Sequence, residues 1–490
     1  MKSNIRMGFK FHQPVEVEMD GILNAIQPFN DNKTALFENN DQLYKKSTVN
    51  SIEPVIKSGD RSDKEKSLSN SQLAELFIER DHFILLSNAL YIYDTIKKHY
   101  VLFQGEYSDR FMRRVIPNKY KNKINSHSIR EIIQWVKASP TIEHCENIKN
   151  TQNLIAFKNV IYDFNNDYVI QHSPDSYFTS LLNVEFPDEY EIVSLNYFER
   201  FMEDITDGNE NVYNRIQEVL GYIISEIRNI KCIPFLIGPK DSGKSVFLKL
   251  VEYLVGEENT SNLSLDQLNK PDYLIKIIGK RLNTCAEVPE IPLNKLDTLK
   301  KLSGGDKITV RGIFENPVEF INSAALLFAG NDLPNIKNLD KSNAFVDRLI
   351  IVPFFNKIEK HQQDITLLEK LKNEADYITL WAIEGLKRLQ QNNYTFTTSS
   401  EILQIESEYI TESNSIQLFL DSCCIFDPSH KIHYSELENA FIKFIHTKNL
   451  MPSTFKELHN YIKLHYPVSS KRFRLHGENK NGYYGLTVKL

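Results

Sequence analysis

The segment GPKDSGKS at 238–245 combines two glycines, a lysine and a serine in the spacing G-x-x-x-x-G-K-[ST]. Glycines let successive backbone N–H groups turn inward as a nest for phosphate oxygens. Lys244 then reaches the outer phosphates, and the Ser245 hydroxyl can ligate Mg²⁺. The loop residues expected at the nucleotide are Gly238, Pro239, Lys240, Asp241, Ser242, Gly243, Lys244, Ser245 and Val246. A glycine-rich surface turn is the plainer reading. The flanks weigh against it: the apolar run CIPFLI precedes the loop, and SVFLKLVEYLVG follows with helical period. The expected ligand is a nucleoside triphosphate with Mg²⁺.

Hydrolysis needs further groups, and the chain offers them downstream. KRLNTCAEVPE (280–290) runs from basic residues through a short apolar strand to Glu287. Glu287 is the candidate to hold Mg²⁺ and polarise water, with Glu290 behind it. AALLFAGND (324–332) is a buried-strand pattern ending at Asn331, where an amide can orient the attacking water. NAFVDRLIIVPF (343–354) puts Arg348 just before another apolar strand. Its planar fork suits the charge of a transferring phosphoryl group, supplied from a neighbouring subunit; a strand-flanking charge is the plainer alternative. Between acid and amide, LSGGDKITVRGIFENPVEF (302–320) alternates like a β-hairpin carrying Lys307 and Arg311.

The elements that must position these residues follow from pattern. Strand and helix signals alternate through 233–355, which predicts an α/β core around a parallel sheet. NVYNRIQEVLGYIISE (211–226) reads as the amphipathic helix feeding the loop, and 364–395 as helical. Upstream, 72–205 reads as α+β. There SQLAELFIERDHFILL is expected to be helical, NALYIYDTIKKHYVLFQG a hairpin, SIREIIQWVKAS a helix, and NLIAFKNVIYDFNNDYVIQHSP paired strands. Residues 57–71 read as a polar linker. The expected divisions are 1–71, 72–205, 206–395 and 400–490.

The whole chain sets the bounds. Its 490 residues exceed one ordinary core. With 41% hydrophobic and 25% charged residues, each domain can bury a core. No run approaches the roughly 18–20 apolar residues of a membrane span, and no signal-peptide pattern opens the chain. Five cysteines without paired spacing point to a reducing compartment. Adjacent Cys423 and Cys424, even with His430 and His433, lack zinc-site spacing. The expected setting is the cytoplasm, without membrane or metal beyond Mg²⁺. Net charge is −6, yet residues 431–490 carry ten Lys and Arg against four acids. A basic tail on an acidic body points to a nucleic-acid partner.

The C-terminal piece, about 400–490, reads as helices SIQLFLDSC, YSELENAFIKFIHTKN and STFKELHNYIKLH, the last capped by Ser453 or Thr454, followed by a hairpin in KRFRLHGENKNGYYGLTVKL. Lys456 and Lys463, with His459 between them, mark the helix, and Lys471, Arg472 and Arg474 mark the hairpin. Three helices and a basic wing form a winged-helix arrangement, in which a helix enters the major groove and the wing holds phosphates. A domain that packs against the next subunit is the alternative.

Phosphate loop, acidic strand, LSGGD hairpin, Asn331 and the DRL-IVPF arginine, in that order, resemble the superfamily 3 helicases. Over roughly 75–490 the chain is similar to the phage, plasmid and poxvirus primase-helicase branch, and most like replication initiators (Rep) of phage-inducible chromosomal islands. ALYIYD, LIAFKNVIYDF and HSPDSYFTSLLNVEF look like the pre-helicase domain, and WAIEGLKRL like the post-motor helix. The resemblance implies an AAA+-like P-loop ATPase core, a homo-hexameric ring hydrolysing ATP between subunits, and 3′→5′ movement on single-stranded DNA in the channel. It matches Lys244, Ser245, Glu287, Asn331 and Arg348 individually. One departure is Glu315 in IFENP, where the family carries a lysine near the hairpin tip. A carboxylate repels phosphate, so Lys307 or Arg311 would carry that contact. The implied element is bacterial or phage-related, and the implied task is to bind origin duplex through 400–490 and melt it. No primase chemistry is expected in this chain; docking a separate primase or other replication protein is one use for 1–71. The alternatives are a nucleotide-switched origin-binding protein that does not unwind, and a DNA-packaging ATPase.

Overall fold

A computed structural model describes residues 68–86, 88–116, 124–145, 151–187, 197–287, 297–311, 318–334, 345–413, 415–448, 450 and 453–489. Glu290, Glu315 and nearly all of 1–71 lie outside the described residues.

The first unit packs a mixed sheet against three helices. Strands β1 (Phe83–Leu86), β2 (Ala89–Asp94), β3 (His99–Leu102) and β4 (Glu143–Cys145) lie in the order β3-β2-β1-β4, with β1 and β4 parallel. Helices Asn70–Arg80, Gly105–Val115 and Ser126–Ala138 cover it. The hairpin expected after residue 88 is β2–β3, paired Tyr93 to Tyr100. Two expectations need correction. Ser69 caps the first helix through Gln72, so the helix begins inside the expected linker. The same helix ends at Arg80, and FILL is strand β1 rather than its continuation. The helical period ran on by coincidence, whereas the pairing of Phe83 to Ile92 and Leu85 to Leu90 fixed the β state.

Strands β5 (Leu154–Ala156), β6 (Ile161–Asp163) and β7 (Tyr168–Ile170) form an antiparallel meander. The Asp163 carboxylate accepts from the N–H groups of Asn165 and Asn166 and so builds the expected Asn-Asn-Asp turn. The meander does not stop at the expected boundary near 205. Ile155, Phe157, Tyr162, Leu182 and Phe186 share one hydrophobic cluster with Phe198, Phe201, Val219 and Phe247.

The central sheet is built from β8 (Ile233–Ile237), β9 (Thr260–Ser261), β10 (Leu282–Cys285), β13 (Ala325–Gly330) and β14 (Leu349–Pro353). Their order is β14-β8-β13-β10-β9, with all neighbours parallel. Alternate residues feed two cores: Ala325, Leu327 and Ala329 join one, and Leu326 and Phe328 the other. A central strand of a parallel sheet covered on both faces is mostly apolar, which is why β13 reads as an unbroken hydrophobic run. Between β10 and β13 the antiparallel pair β11 (Lys307–Val310) and β12 (Val318–Ile321) forms the expected hairpin.

Helix Glu210–Ile224, before β8, crosses helix Ala375–Gln391 closely. A Cβ on Gly221 would stand 2.4 Å from the Ala382 carbonyl oxygen, and one on Gly385 2.4 Å from the Gln217 oxygen. Buried Glu218 secures the crossing by accepting from Arg388 Nε at 2.8 Å and from Thr397 N at 2.7 Å.

Helix Ser400–Ser413 belongs with this body, which corrects the expected start of the C-terminal unit at 400. Ile402 enters one core, Ile405 and Tyr409 pack on the other, and Tyr409 donates to the Pro334 carbonyl at 2.7 Å. The C-terminal cluster starts at Ile416. It unites helices Ser415–Cys423, Tyr434–Lys448 and Phe455–His465 with the sheet β16 (Lys431–His433), β18 (Glu478–Tyr484) and β17 (Ser469–Leu475). A further short pair joins β15 (Cys424–Ile425) to β19 (Thr487–Val488). Thr454 rather than Ser453 caps its helix, in a capping box with Glu457.

Candidate nucleotide cleft and nucleic-acid surfaces

All five core strands run the same way, so β8, β13 and β10 deliver their carboxyl ends to one edge. The 238–245 loop leaves β8, Asn331 follows β13, and Glu287 follows β10 by two residues. Open parallel sheets bind ligands at this edge, because there the loops diverge and backbone groups point outward. A cleft of about 990 Å³ opens here, lined by Lys240–Val246, Glu287 and Asn331 among others. Gly238 and Pro239 do not line it.

The loop is held from below. Gly238 has φ +147°, and a Cβ there would stand 2.1 Å from the Phe354 carbonyl oxygen. Its N–H donates to the Asn331 carbonyl at 3.3 Å, tying the loop to the amide's own backbone. Gly243 has φ +93° and rests on Phe201 and Ile205. Gly238→Ala is therefore expected to destabilise the fold by about 3 kcal/mol, through backbone strain and overpacking against β14. In thermal unfolding the midpoint should fall by roughly 5–10 °C; an unchanged midpoint would mean the loop lies elsewhere.

Lys244 opens the 12-residue helix Lys244–Val255. Its ammonium donates to the Gly238 and Pro239 carbonyls, both at 2.7 Å, and to Ser242 Oγ at 3.1 Å. Burial pulls its pKa below the ordinary lysine value, while Asp241 and Asp332 act in the opposite sense. No side chain caps this helix. Its first N–H groups and its dipole thus face the cleft beside Lys244. Ser245, Glu287 and Asn331 are exposed at the cleft wall. A hydroxyl, a carboxylate and an amide are hard oxygen donors that fit Mg²⁺ shared with phosphates. Among the described residues no group of three or more His, Cys, Asp or Glu could hold a metal, and a phosphate-shared Mg²⁺ needs none.

Arg348 lies apart. It ends the turn Val346–Arg348 before β14, whose first residue, Leu349, pairs with Ile233 and whose last, Pro353, pairs with Ile237. The whole strand, about 16 Å at 3.3 Å per residue, separates Arg348 from the edge where the loop begins. Within one chain, Arg348 and the cleft occupy opposite edges of the sheet.

On the hairpin, Lys307, Thr309 and Arg311 alternate outward, while Ile308 and Val310 enter the core. Glu319 stands opposite Thr309 and accepts from its hydroxyl at 3.4 Å. The sequence pattern of the first arm alone gives no sign of this acid on the basic face. In the C-terminal unit, Lys456 and Lys463 are exposed on one helix face. His459 is not part of that face: its ring contacts Glu438 Oε1 at 2.8 Å and the Tyr483 hydroxyl at 3.0 Å. Strand β17 divides its cations. Arg472 and Arg474 share one side, whereas Lys471 alternates with them and falls on the side of buried Phe473. The His476-Gly477 turn has φ +51° and +82°, values that suit a tight two-residue hairpin loop.

The cleft also has walls that no motif announces. Helix Tyr197–Thr206 supplies Tyr197, Arg200, Phe201 and Asp204, and the segment after β14 supplies Ile358, Gln362, Ile365 and Lys370. The available signal was the i, i+3, i+4, i+7 stripe of Phe198, Phe201, Met202 and Ile205 in FERFMEDI.

Residues 30–207 match a family model described as D5 N terminal like, and 236–348 match a family of unknown function (DUF5906). The chain is 22% identical over 395 residues to "Putative helicase 121R" of Invertebrate iridescent virus 3, covering 70% of this chain and 40% of that protein. It is 23% identical over 250 residues to "Putative helicase L207/L206" of Acanthamoeba polyphaga mimivirus, covering 47% and 24% respectively. The chain thus spans less than half the length of either viral relative. An A-form apo structure of the NrS-1 C-terminal region aligns with a TM-score of 0.48 at 10% identity, over 86% of this chain and all of that one. The sequence matches support, at low identity, a likeness to phage and viral primase-helicase-like proteins. Among the described residues no helix is long and apolar enough to cross a membrane.

Proposed function

We propose that this chain is an ATP-dependent replicative DNA helicase of the superfamily 3 kind. The observation that carries the reading is the convergence of the 238–245 loop, Glu287 and Asn331 on one cleft while Arg348 stands at the opposite edge of the same sheet. One chain then holds the phosphates, and its neighbour completes the catalytic centre. The likeness to two viral proteins named as helicases supports the choice of unwinding over other uses of the nucleotide.

In the proposed cycle, the loop N–H groups and Lys244 cradle the β- and γ-phosphates, releasing the ammonium from the Gly238 and Pro239 carbonyls. Glu287 takes the proton of the attacking water, and Asn331 orients that water. Mg²⁺, held by Ser245 and Glu287, would neutralise charge on the phosphates. Arg348 from the adjacent subunit meets the charge that develops on the transferring group. A closed homo-hexameric ring supplies six such seams. Its hairpins bear Lys307 and Arg311 toward single-stranded DNA, and each hydrolysis step moves the strand 3′→5′. The C-terminal unit acts as a winged helix on origin duplex, through Lys456 and Lys463 on the helix and Lys471, Arg472 and Arg474 on the hairpin. The element served is a mobile replicon, with a separate primase or other replication protein as a further partner.

A forked duplex tests the reading: strands should separate only with ATP and with an intact Lys244. ATP-dependent binding without separation would leave a nucleotide-switched DNA-binding protein instead. The C-terminal surface is tested by salt. Changing Lys456, Lys463, Arg472 and Arg474 together to alanine should make the log–log salt dependence of duplex binding shallower by up to about 3–4, near 0.9 for each phosphate no longer neutralised. ATP hydrolysis without DNA should stay at the parental rate. An unchanged slope would move the duplex to another surface.

A further inference from the structure

Helix Tyr197–Thr206 forms one wall of the cleft and lines it with Tyr197, Arg200, Phe201 and Asp204. Spaced i, i+3, i+4 and i+7, these four make a single stripe along the helix. The backbone under the stripe is fixed at both ends. Its first N–H groups, those of Tyr197 and Phe198, donate to the Glu374 carboxylate at 3.0 and 2.7 Å. At the far end the Ile205 carbonyl accepts from Phe355 N at 3.3 Å, and the Asp204 carbonyl from Asn356 Nδ2 at 3.0 Å. In between, a Cβ on Gly243 would stand 3.0 Å from Phe201 Cε2. The wall therefore abuts the 238–245 loop one residue away from Arg200.

Arg200 is exposed on this wall and has no ion pair, hydrogen bond or ring contact among the described residues. Its own helix offers acids at the spacings where an arginine can pair, Glu203 three residues on and Asp204 four. Neither takes it. Burial raises the Asp204 carboxyl above its ordinary value, and no charge from Arg200 offsets that rise. Glu199 is engaged elsewhere, accepting from the Tyr377 hydroxyl and, at 3.3 Å, from the Tyr213 hydroxyl. Two other cations of the cleft are committed within the chain: Lys370 donates to Asp364 at 2.5 Å, and Lys244 to the Gly238 and Pro239 carbonyls. Lys240 is uncommitted as well, but it belongs to the loop itself.

From this arrangement we infer that Arg200 is a second cation for the phosphates of the bound nucleotide, supplied by the same chain from outside the phosphate loop. The inference rests on the proposed nucleotide reading of the cleft. Arg200 binds phosphate oxygens, not the base or the sugar. A guanidinium fork meets two such oxygens at once, and charge-assisted pairs of this kind are shorter and stronger than neutral ones. Arg200 stands on the helical wall, whereas Glu287 and Asn331 follow strands β10 and β13. Its contribution is to hold the nucleotide equally before and during the reaction, which lowers KM and leaves kcat alone.

The test measures binding of ATP and of inorganic tripolyphosphate to the full chain by calorimetry, with Mg²⁺ present. Arg200→Ala should weaken both by the same factor, about ten- to hundredfold, the range for losing a charged hydrogen-bonding partner. Arg200→Lys should regain part of that loss, since it restores the charge without the fork. Glu203→Gln, exposed on the same helix, should leave both affinities within about twofold of the parent. In steady-state hydrolysis, Arg200→Ala should raise KM while kcat stays within about threefold. ATP weakened with tripolyphosphate unchanged would assign Arg200 to the base or sugar and overturn the inference. Both affinities unchanged would remove Arg200 from the nucleotide. A fall in kcat of about a hundredfold at unchanged KM would make it a transition-state group and overturn the binding role. Failure of the parent chain to bind either probe, with folding intact, would instead overturn the nucleotide reading of the cleft, and this inference with it.

Discussion

Lys244→Ala is expected to reduce ATP hydrolysis by at least about 10³-fold, because in the proposed cycle it removes the partly desolvated cation that meets the transferring phosphate. The loss should appear in kcat at saturating ATP. The same change deletes three hydrogen bonds that hold the loop, so a fall in thermal midpoint of a few degrees is expected as well. The two effects separate with Lys244→Arg. That variant keeps a charge and donors to the loop carbonyls but places a bulkier, planar group at the phosphates. It should regain stability without regaining the rate. Hydrolysis within about tenfold of the parent in Lys244→Ala would show that the 238–245 loop is not the catalytic one.

Arg348→Ala carries the second large effect, and its geometry makes the test specific. Because β14 holds this arginine about 16 Å from the edge where the 238–245 loop begins, the proposed cycle assigns it to the nucleotide of a neighbouring chain. An arginine supplied in trans contributes about 10³–10⁵ in kcat, and a pure Arg348→Ala assembly should lose a factor in that range. Mixed with Lys244→Ala, it should recover activity. Each mixed seam that pairs an intact loop with an intact arginine is competent, although neither parent assembly has one. Recovery should depend on total protein concentration, as association does. Absence of recovery in mixed oligomers confirmed by mass would place Arg348 outside the neighbour's site. A solitary monomer hydrolysing at full rate would do the same.

How far the chain could be read in advance depended on how local each signal was. The strand–loop–helix turn at 238–245 was legible because its glycine spacing is dictated by backbone geometry within eight residues. Asn331 was legible as the polar residue ending the unbroken apolar run of β13, whereas Glu287 follows a strand, β10, whose buried Asn283 and Thr284 interrupt that pattern. The Thr454 cap and the β17–β18 hairpin were equally local. The misreadings came where two local rules competed. FILL continues a helical period and also satisfies a strand, and only its partner β2 decided between them. The boundaries near 205 and 400 failed for a different reason. A change in composition marks a change in local pattern, whereas Phe186, Phe201 and Ile402 show that a core is defined by what packs together.

By itself, then, the sequence determined the chemistry available to this protein: a glycine-rich loop with a lysine and a serine, an acid, an amide, an arginine and a basic tail, each encoded within a few neighbouring residues. The tertiary structure alone decided which of them meet. Strand order β14-β8-β13-β10-β9 brings three carboxyl ends to one cleft and leaves Arg348 at the other edge. It also adds Tyr197 and Ile365 to that cleft from segments 168 residues apart in the chain (365 less 197). Such meetings depend on long-range burial and strand pairing, whose energies are sums over many neighbours rather than properties of any single stretch.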